Sequence, residues 1–124
     1  MKLILLTILI TFSFSKERII ALSPSINEIV YALGAGDEVV GNTKYCTFPK
    51  ASLSVNKVGG YFNPNLEKII FLQPTIVIMQ QNNLKLSHQL NKLGIKTKVV
   101  KIDRLHNIKS TILTIGKIIY KKRS

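Results

Sequence analysis

Acid–base side chains are sparse in this sequence: two histidines, His88 and His106, and six carboxylates spread over 124 residues. A general acid–base pair or a metal centre needs two or three such groups to converge. Asp37 and Glu38 are adjacent in a turn and point apart, and the histidines stand away from any acid but Asp103. Cys46 is the single cysteine, so it has no internal disulfide partner and reads as a small packed side chain. Glycine-rich phosphate loops, nucleophile elbows and His-Glu-x-x-His motifs are absent. The residues support neither an enzyme nor a resident cofactor.

They support noncovalent binding better. Four short polar or aromatic stretches each follow an apolar run: Ser23-Pro24-Ser25, Asn42 to Tyr45, Gly59 to Tyr61, and Gln80 to Asn83. Tyrosines with polar tips, a helix start and side-chain amides suit a large, partly apolar ligand. Ser25, Tyr45, Tyr61 and Gln80 are the candidate contacts.

The elements that would position these residues alternate. Arg18 to Leu22 is a short apolar run suited to a buried parallel strand. Ser25 and Glu28 stand three apart, as in a capping box, and Ile26, Ile29, Val30 and Leu33 follow at helical spacing up to Gly34. Val39 to Gly41 reads as a second strand, and residues 42–56 as a long surface loop carrying Tyr45, Cys46 and Phe48. Asn63-Pro64-Asn65-Leu66-Glu67 starts a helix that runs through Leu72. Ile76 to Met79 is the most strand-like run. Leu84, Leu86, Leu90 and Leu93 make one apolar helix face closed by Gly94, and Thr97 to Ile102 alternates as a strand. From Asn107, isoleucines 108, 112, 115, 118 and 119 share one helical side. This order predicts an α/β domain with a mainly parallel sheet flanked by helices.

Ahead of the domain, Lys2 and the apolar run Leu3 to Phe14 have the layout of a secretory signal, with small residues at Ser13 and Ser15. The run is shorter than the roughly 20 residues a spanning helix needs. The expected cut after Ser15 would deliver the mature chain to the periplasm. Net charge is +12, with much of the excess after Lys92. A field of that sign attracts polyanions. The lysines are spread singly among apolar residues, so they read as solvated faces without a nucleic-acid partner; a small basic nucleic-acid or anionic-surface binder is the alternative function.

Several segments together resemble a known family. They are Arg18 to Ile29, Leu33-Gly34-Ala35-Gly36-Asp37-Glu38-Val39-Val40-Gly41, Tyr45 with Phe48-Pro49, Val58-Gly59-Gly60-Tyr61-Phe62-Asn63-Pro64-Asn65-Leu66-Glu67-Lys68-Ile69, and Leu72 to Ile78. Their order and spacing are similar to the periplasmic substrate-binding proteins of ABC importers for cobalamin, haem and iron-siderophores.

That resemblance implies a Rossmann-like lobe of a two-lobed receptor, with ligand held between lobes joined by a long helix. It implies a corrinoid, haem or ferric-siderophore ligand, no catalysed reaction, and a monomer that docks on an ABC permease through Glu67. Tyr45 matches a position that stacks on cobalamin, Tyr61 an aromatic of the same cleft, and Gln80 a position where the cobalamin receptor has tryptophan. On this reading residues 1–15 are the signal, 16–106 the N-terminal lobe and 107–124 the start of an interlobe helix that the chain does not complete.

Overall fold

The computed structural model describes residues 16–103 and 105–120, without the side chains of Leu105 and His106. The expected signal segment and its cleavage point lie outside the described residues. The described residues form five strands and four α-helices: β1 Ile19–Ala21, α1 Pro24–Ala32, β2 Val39–Asn42, β3 Asn56–Lys57, α2 Leu66–Phe71, β4 Ile76–Gln80, α3 Leu84–Lys92, β5 Thr97–Val100 and α4 Leu105–Tyr120. The sheet runs β3-β2-β1-β4-β5, with every pairing parallel. Strand order reverses between β1 and β4, which makes their carboxyl ends the switch point of a doubly wound sheet.

The period of two inside continuous apolar runs builds a core on each face of the sheet. Ile19 pairs with Ile76, Ile20 with Val77 and Ala21 with Ile78, so partners share a face. Ile19, Ala21, Ile76, Ile78 and Val100 pack against Ile26 and Val30 of α1 and Ile115 and Ile119 of α4. Ile20, Leu22, Val77 and Met79 pack on the other face against Ile69 of α2 and Leu86 and Leu90 of α3. Both faces of the central strands are covered, as parallel sheets require.

Local chemistry differs from expectation in four places. The cap of α1 is Ser23, whose Oγ accepts from the Ile26 amide at 3.3 Å. Pro24 takes the first helical position, where its missing N–H costs nothing, so Ser25 and Glu28 form no capping box. Residues 42–56 are not one surface loop: Asn42 closes β2, Lys50–Ser54 is a 3-10 turn, and Thr43, Cys46 and Ser52 are buried. Of the four leucines expected on one face of α3, Leu86 and Leu90 are buried, while Leu84 and Leu93, at the helix ends, are exposed. On α4, Ile115 and Ile119 carry the packing and Ile108 and Ile112 remain partly open. This last helix is anchored by Thr111 Oγ1 donating to the Lys101 carbonyl at 3.2 Å and by Tyr120 Oη donating to the Leu33 carbonyl.

Candidate binding site at the strand ends

All candidate ligand contacts follow the carboxyl ends of parallel strands. Ser25 follows β1, Tyr45 follows β2, Tyr61 follows β3 and Gln80 ends β4. The structure ties these segments to one another through side-chain amides and backbone groups. Gln80 Nε2 donates to Ser23 Oγ at 3.0 Å, bridging β4 and β1 at the switch point. Asn82 Nδ2 and Asn83 Nδ2 both donate to the Tyr61 carbonyl, at 3.2 and 3.4 Å, fixing the loop after β3 against the turn after β4. The Lys44 amide donates to the Gly59 carbonyl at 3.0 Å, which joins the Tyr45 and Tyr61 loops.

Gly59 makes that junction feasible. Its φ of +116° lies where side chains are strained, and a Cβ would meet the Asn63 carbonyl oxygen at 3.0 Å. The turn it allows brings the Asn65 amide back to the Val58 carbonyl at 2.7 Å, ahead of the Asn65 cap of α2.

Beneath the Tyr45 loop lies a buried polar network. Asn27 Nδ2 donates to Ser52 Oγ at 2.7 Å and to the Phe48 carbonyl at 3.1 Å, and Asn42 Nδ2 donates to Asn27 Oδ1 at 3.1 Å. Lys57 Nζ donates to Asn42 Oδ1 and the Ser52 carbonyl, each at 2.7 Å, and to the Cys46 carbonyl at 3.2 Å. Burial pushes the Lys57 amine below its ordinary 10.5, against a smaller upward pull from Cys46. The Cys46 thiol is packed beside Thr43 Oγ1 at 3.3 Å, in keeping with a small packed side chain. Among the described residues no buried side-chain polar atom lacks a partner, so the network is closed and rigid.

What this scaffold displays is aromatic. Tyr45 is 57% exposed and Phe48 67% on the loop after β2; Phe62 is 82% exposed after β3, with half-buried Tyr61 packed edge-on against it at 4.7 Å between centroids. Lys44 Nζ lies 5.2 Å from the centre of the Tyr45 ring, within cation–π range. Tyr61 and Gln80 meet around a small hollow of about 150 Å³, whose other walls include Asn82, Val100 and Ile102. Tyr45 does not line it. Ser25 is exposed in the first turn of α1, its hydroxyl unused by the cap. Phe62 was not singled out as a contact from the sequence, although an exposed-side aromatic directly after Gly59-Gly60-Tyr61 was a usable signal. Glu67 lies on the first turn of α2, exposed, on a separate groove of about 520 Å³ with Phe71 and Leu72. Among the described residues no three metal-ligating side chains cluster, and no helix is long and apolar enough to cross a membrane.

The sequence profile of the periplasmic binding protein family matches residues 19–123. A Bacillus subtilis chain described as an uncharacterized ABC transporter substrate-binding lipoprotein, YvrC, is 40% identical over 73% of this chain and 30% of its own length. The vitamin B12-binding protein of Vibrio vulnificus is 38% identical over 64% of this chain and 30% of its own. Among solved structures, the periplasmic vitamin B12 binding protein BtuF of Vibrio cholerae superposes with a TM-score of 0.77 at 29% identity, covering 86% of this chain and 43% of that one. A periplasmic heme binding protein of Pseudomonas aeruginosa shares the fold at a TM-score of 0.76 and 20% identity, over 86% of this chain and 40% of its own. The chain thus spans about a third of these curated relatives and under half of the solved proteins. With its profile match over residues 19–123 and a parallel five-stranded α/β lobe of the matching fold, the chain belongs to the periplasmic binding protein family.

Proposed function

We propose that this lobe captures a large planar or macrocyclic solute, a cobalamin, haem or iron-siderophore, and presents it to an ABC permease after export to the periplasm. The observation that carries this reading is the aromatic display of Tyr45, Phe48, Tyr61 and Phe62 at the carboxyl ends of the strands, on loops cross-tied to one another. Rigid aromatic surface held before the ligand arrives binds with little ordering cost. Relatives named as vitamin B12-binding proteins support the ligand class. Ser25 and Gln80 supply polar contacts at the rim. Glu67, outside the strand-end surface, is the acid that meets the permease, and the receptor works as a monomer without catalysing a reaction. One lobe covers one side of a ligand, so full affinity needs a second.

Isothermal titration of the chain with cobalamin, haem and a ferric siderophore tests this, alone and with the second lobe of a vitamin B12-binding relative added. One ligand should bind, more tightly with the second lobe. Tyr45→Ala and Tyr61→Ala should each weaken it by about ten-fold, on the order of one aromatic contact. Glu67→Ala should leave ligand binding unchanged and weaken capture by the permease. Silence with every ligand in the presence of the second lobe overturns the proposal. A steep fall of affinity with salt would instead favour the polyanion alternative.

A further inference from the structure

Phe71 is the most exposed large apolar side chain among the described residues, 84% open to solvent. It stands four residues after Glu67, on the same side of α2. Both line the groove of about 520 Å³ between α2 and β3, the edge strand of the sheet. Leu72 adds to its apolar wall, and Asn56 and Lys57 form the strand side. Nothing within the lobe accounts for either side chain. Ile69 is the residue through which α2 enters the core, and Phe71 lies outside it. Lys57, across the groove, directs its ammonium to Asn42 and to the Cys46 and Ser52 carbonyls. Among the described residues Glu67 pairs with no cation, in a chain with 18 basic residues to six acidic ones.

An open ring beside an unanswered charge has the make-up of a protein interface, where the ring supplies area removed from water and the charge orients the partner. The carboxylate disfavours an anionic solute in this groove. A second copy of the chain would bring another +12 of charge to the contact, which opposes self-association. The groove also adjoins the aromatic loops, because the turn that carries Tyr61 and Phe62 returns at Asn65 to the Val58 carbonyl immediately before α2. A partner seated here stands beside the solute surface. We propose that Phe71 is an apolar anchor for the ABC permease: a permease segment lays an apolar side chain into the groove against Phe71 and a basic side chain against Glu67. The proposal rests on Glu67 being the acid that meets the permease. It adds a contact of a different kind, since salt screens the Glu67 pair and leaves burial of the Phe71 ring intact.

Photo-cross-linking of the full chain in membranes of its source cell tests this, with p-benzoylphenylalanine replacing Lys68, which borders the groove, or Lys109, exposed on α4 across the sheet. Mass spectrometry identifies the adducts. Position 68 should give an adduct with a membrane subunit of an ABC permease, and position 109 none. Phe71→Ala should lower the yield from position 68 about ten-fold, the scale of one aromatic anchor at an interface. Phe71→Leu should restore most of it. In isolated membranes the adduct that survives Glu67→Ala should resist added salt, and the one that survives Phe71→Ala should fade with it. Because Phe71 is exposed, Phe71→Ala should keep the parent's circular dichroism spectrum and its titrations with cobalamin and haem. A yield from position 68 that falls with Glu67→Ala and not with Phe71→Ala overturns the inference and leaves the Glu67 reading standing. The absence of any permease adduct from position 68 overturns both. An adduct between two copies of the chain, or a loss of cobalamin or haem binding in Phe71→Ala, overturns the assignment of the groove to the permease.

Discussion

Gln80 Nε2 and Ser23 Oγ meet at 3.0 Å across the point where strand order reverses, and the same Ser23 oxygen caps α1 through the Ile26 amide. One hydroxyl therefore serves a helix terminus and the junction of two central strands. Its loss removes both. Ser23→Ala should destabilise the chain by about 1–2 kcal/mol, the upper range of a lost cap. Gln80 is only half-buried and its amide can return to water, so Gln80→Ala should cost less, about 0.5–1 kcal/mol. Urea unfolding of the two variants gives the order; a larger loss at Gln80 would show that the cap is not the main role.

Asn27 is fully buried, and it binds Ser52, the Phe48 carbonyl and Asn42 together. Replacing it by leucine leaves those groups without partners in a dry site. The expected cost is about 2–4 kcal/mol, since each orphaned buried group costs about 1–3 kcal/mol. The same change frees the loop that carries Tyr45 and Phe48, so amide exchange should accelerate between residues 43 and 55 more than in β4. Uniform acceleration across the sheet would assign Asn27 to global stability alone.

The central strands and the parallel α/β character were legible because the relevant signals are local, whereas the order of the strands and the two-residue β3 within the expected loop were not. Arg18 to Leu22 and Ile76 to Met79 are apolar throughout, which only a strand buried on both faces requires. The start of α1 was misread for a local reason as well. Ser23-Pro24-Ser25 offers two hydroxyls, and the Ser25–Glu28 spacing favoured the second, while the proline between them marked the first. The network under the Tyr45 loop was not legible, because Asn27, Asn42, Ser52 and Lys57 carry no shared period and meet only after β1, β2 and β3 pair. Tyr45, Tyr61 and Gln80 were placed correctly at strand ends. That Tyr61 and Gln80 share one hollow while Tyr45 lies outside it depends on the loop ties, which no spacing encodes.

Lys57 should make stability depend on pH in an unusual direction. Burial lowers its folded pKa below 10.5, so between the two values the unfolded chain binds more protons than the folded one. Stability from this group is therefore lowest below the folded pKa and rises as pH climbs toward 10.5. Lys57→Met removes the titration along with three hydrogen bonds. The stability of the parent minus that of the variant, from urea unfolding at successive pH values, should move in favour of the parent as pH rises through this window. A carbon-detected NMR titration should give Lys57 a lower midpoint than the exposed lysines. A flat difference, or an ordinary midpoint, would show that the amine keeps its solvation.

Gly59 offers the sharpest test of how the two aromatic loops are held. At φ +116° an alanine is strained whatever room it has, and here its Cβ would also press on backbone: Asn63 O at 3.0 Å, Asn65 N at 3.2 Å and Pro64 Cα at 3.3 Å. Backbone cannot swing aside as a side chain does. Gly59→Ala should therefore cost about 1–3 kcal/mol, the range for a residue held in such a conformation. Gly94→Ala makes the control: its φ is +80° with nothing within 4 Å of the added Cβ, so it feels the torsional strain without the contacts. Thermal unfolding should place Gly59→Ala below Gly94→Ala. Because the Gly59 carbonyl accepts from Lys44, the Gly59 variant should also lose protection at the Lys44 amide, and the Gly94 variant should keep it. Equal losses in the two variants would mean that the turn yields to the new methyl group and that the tie between the Tyr45 and Tyr61 loops does not depend on its geometry.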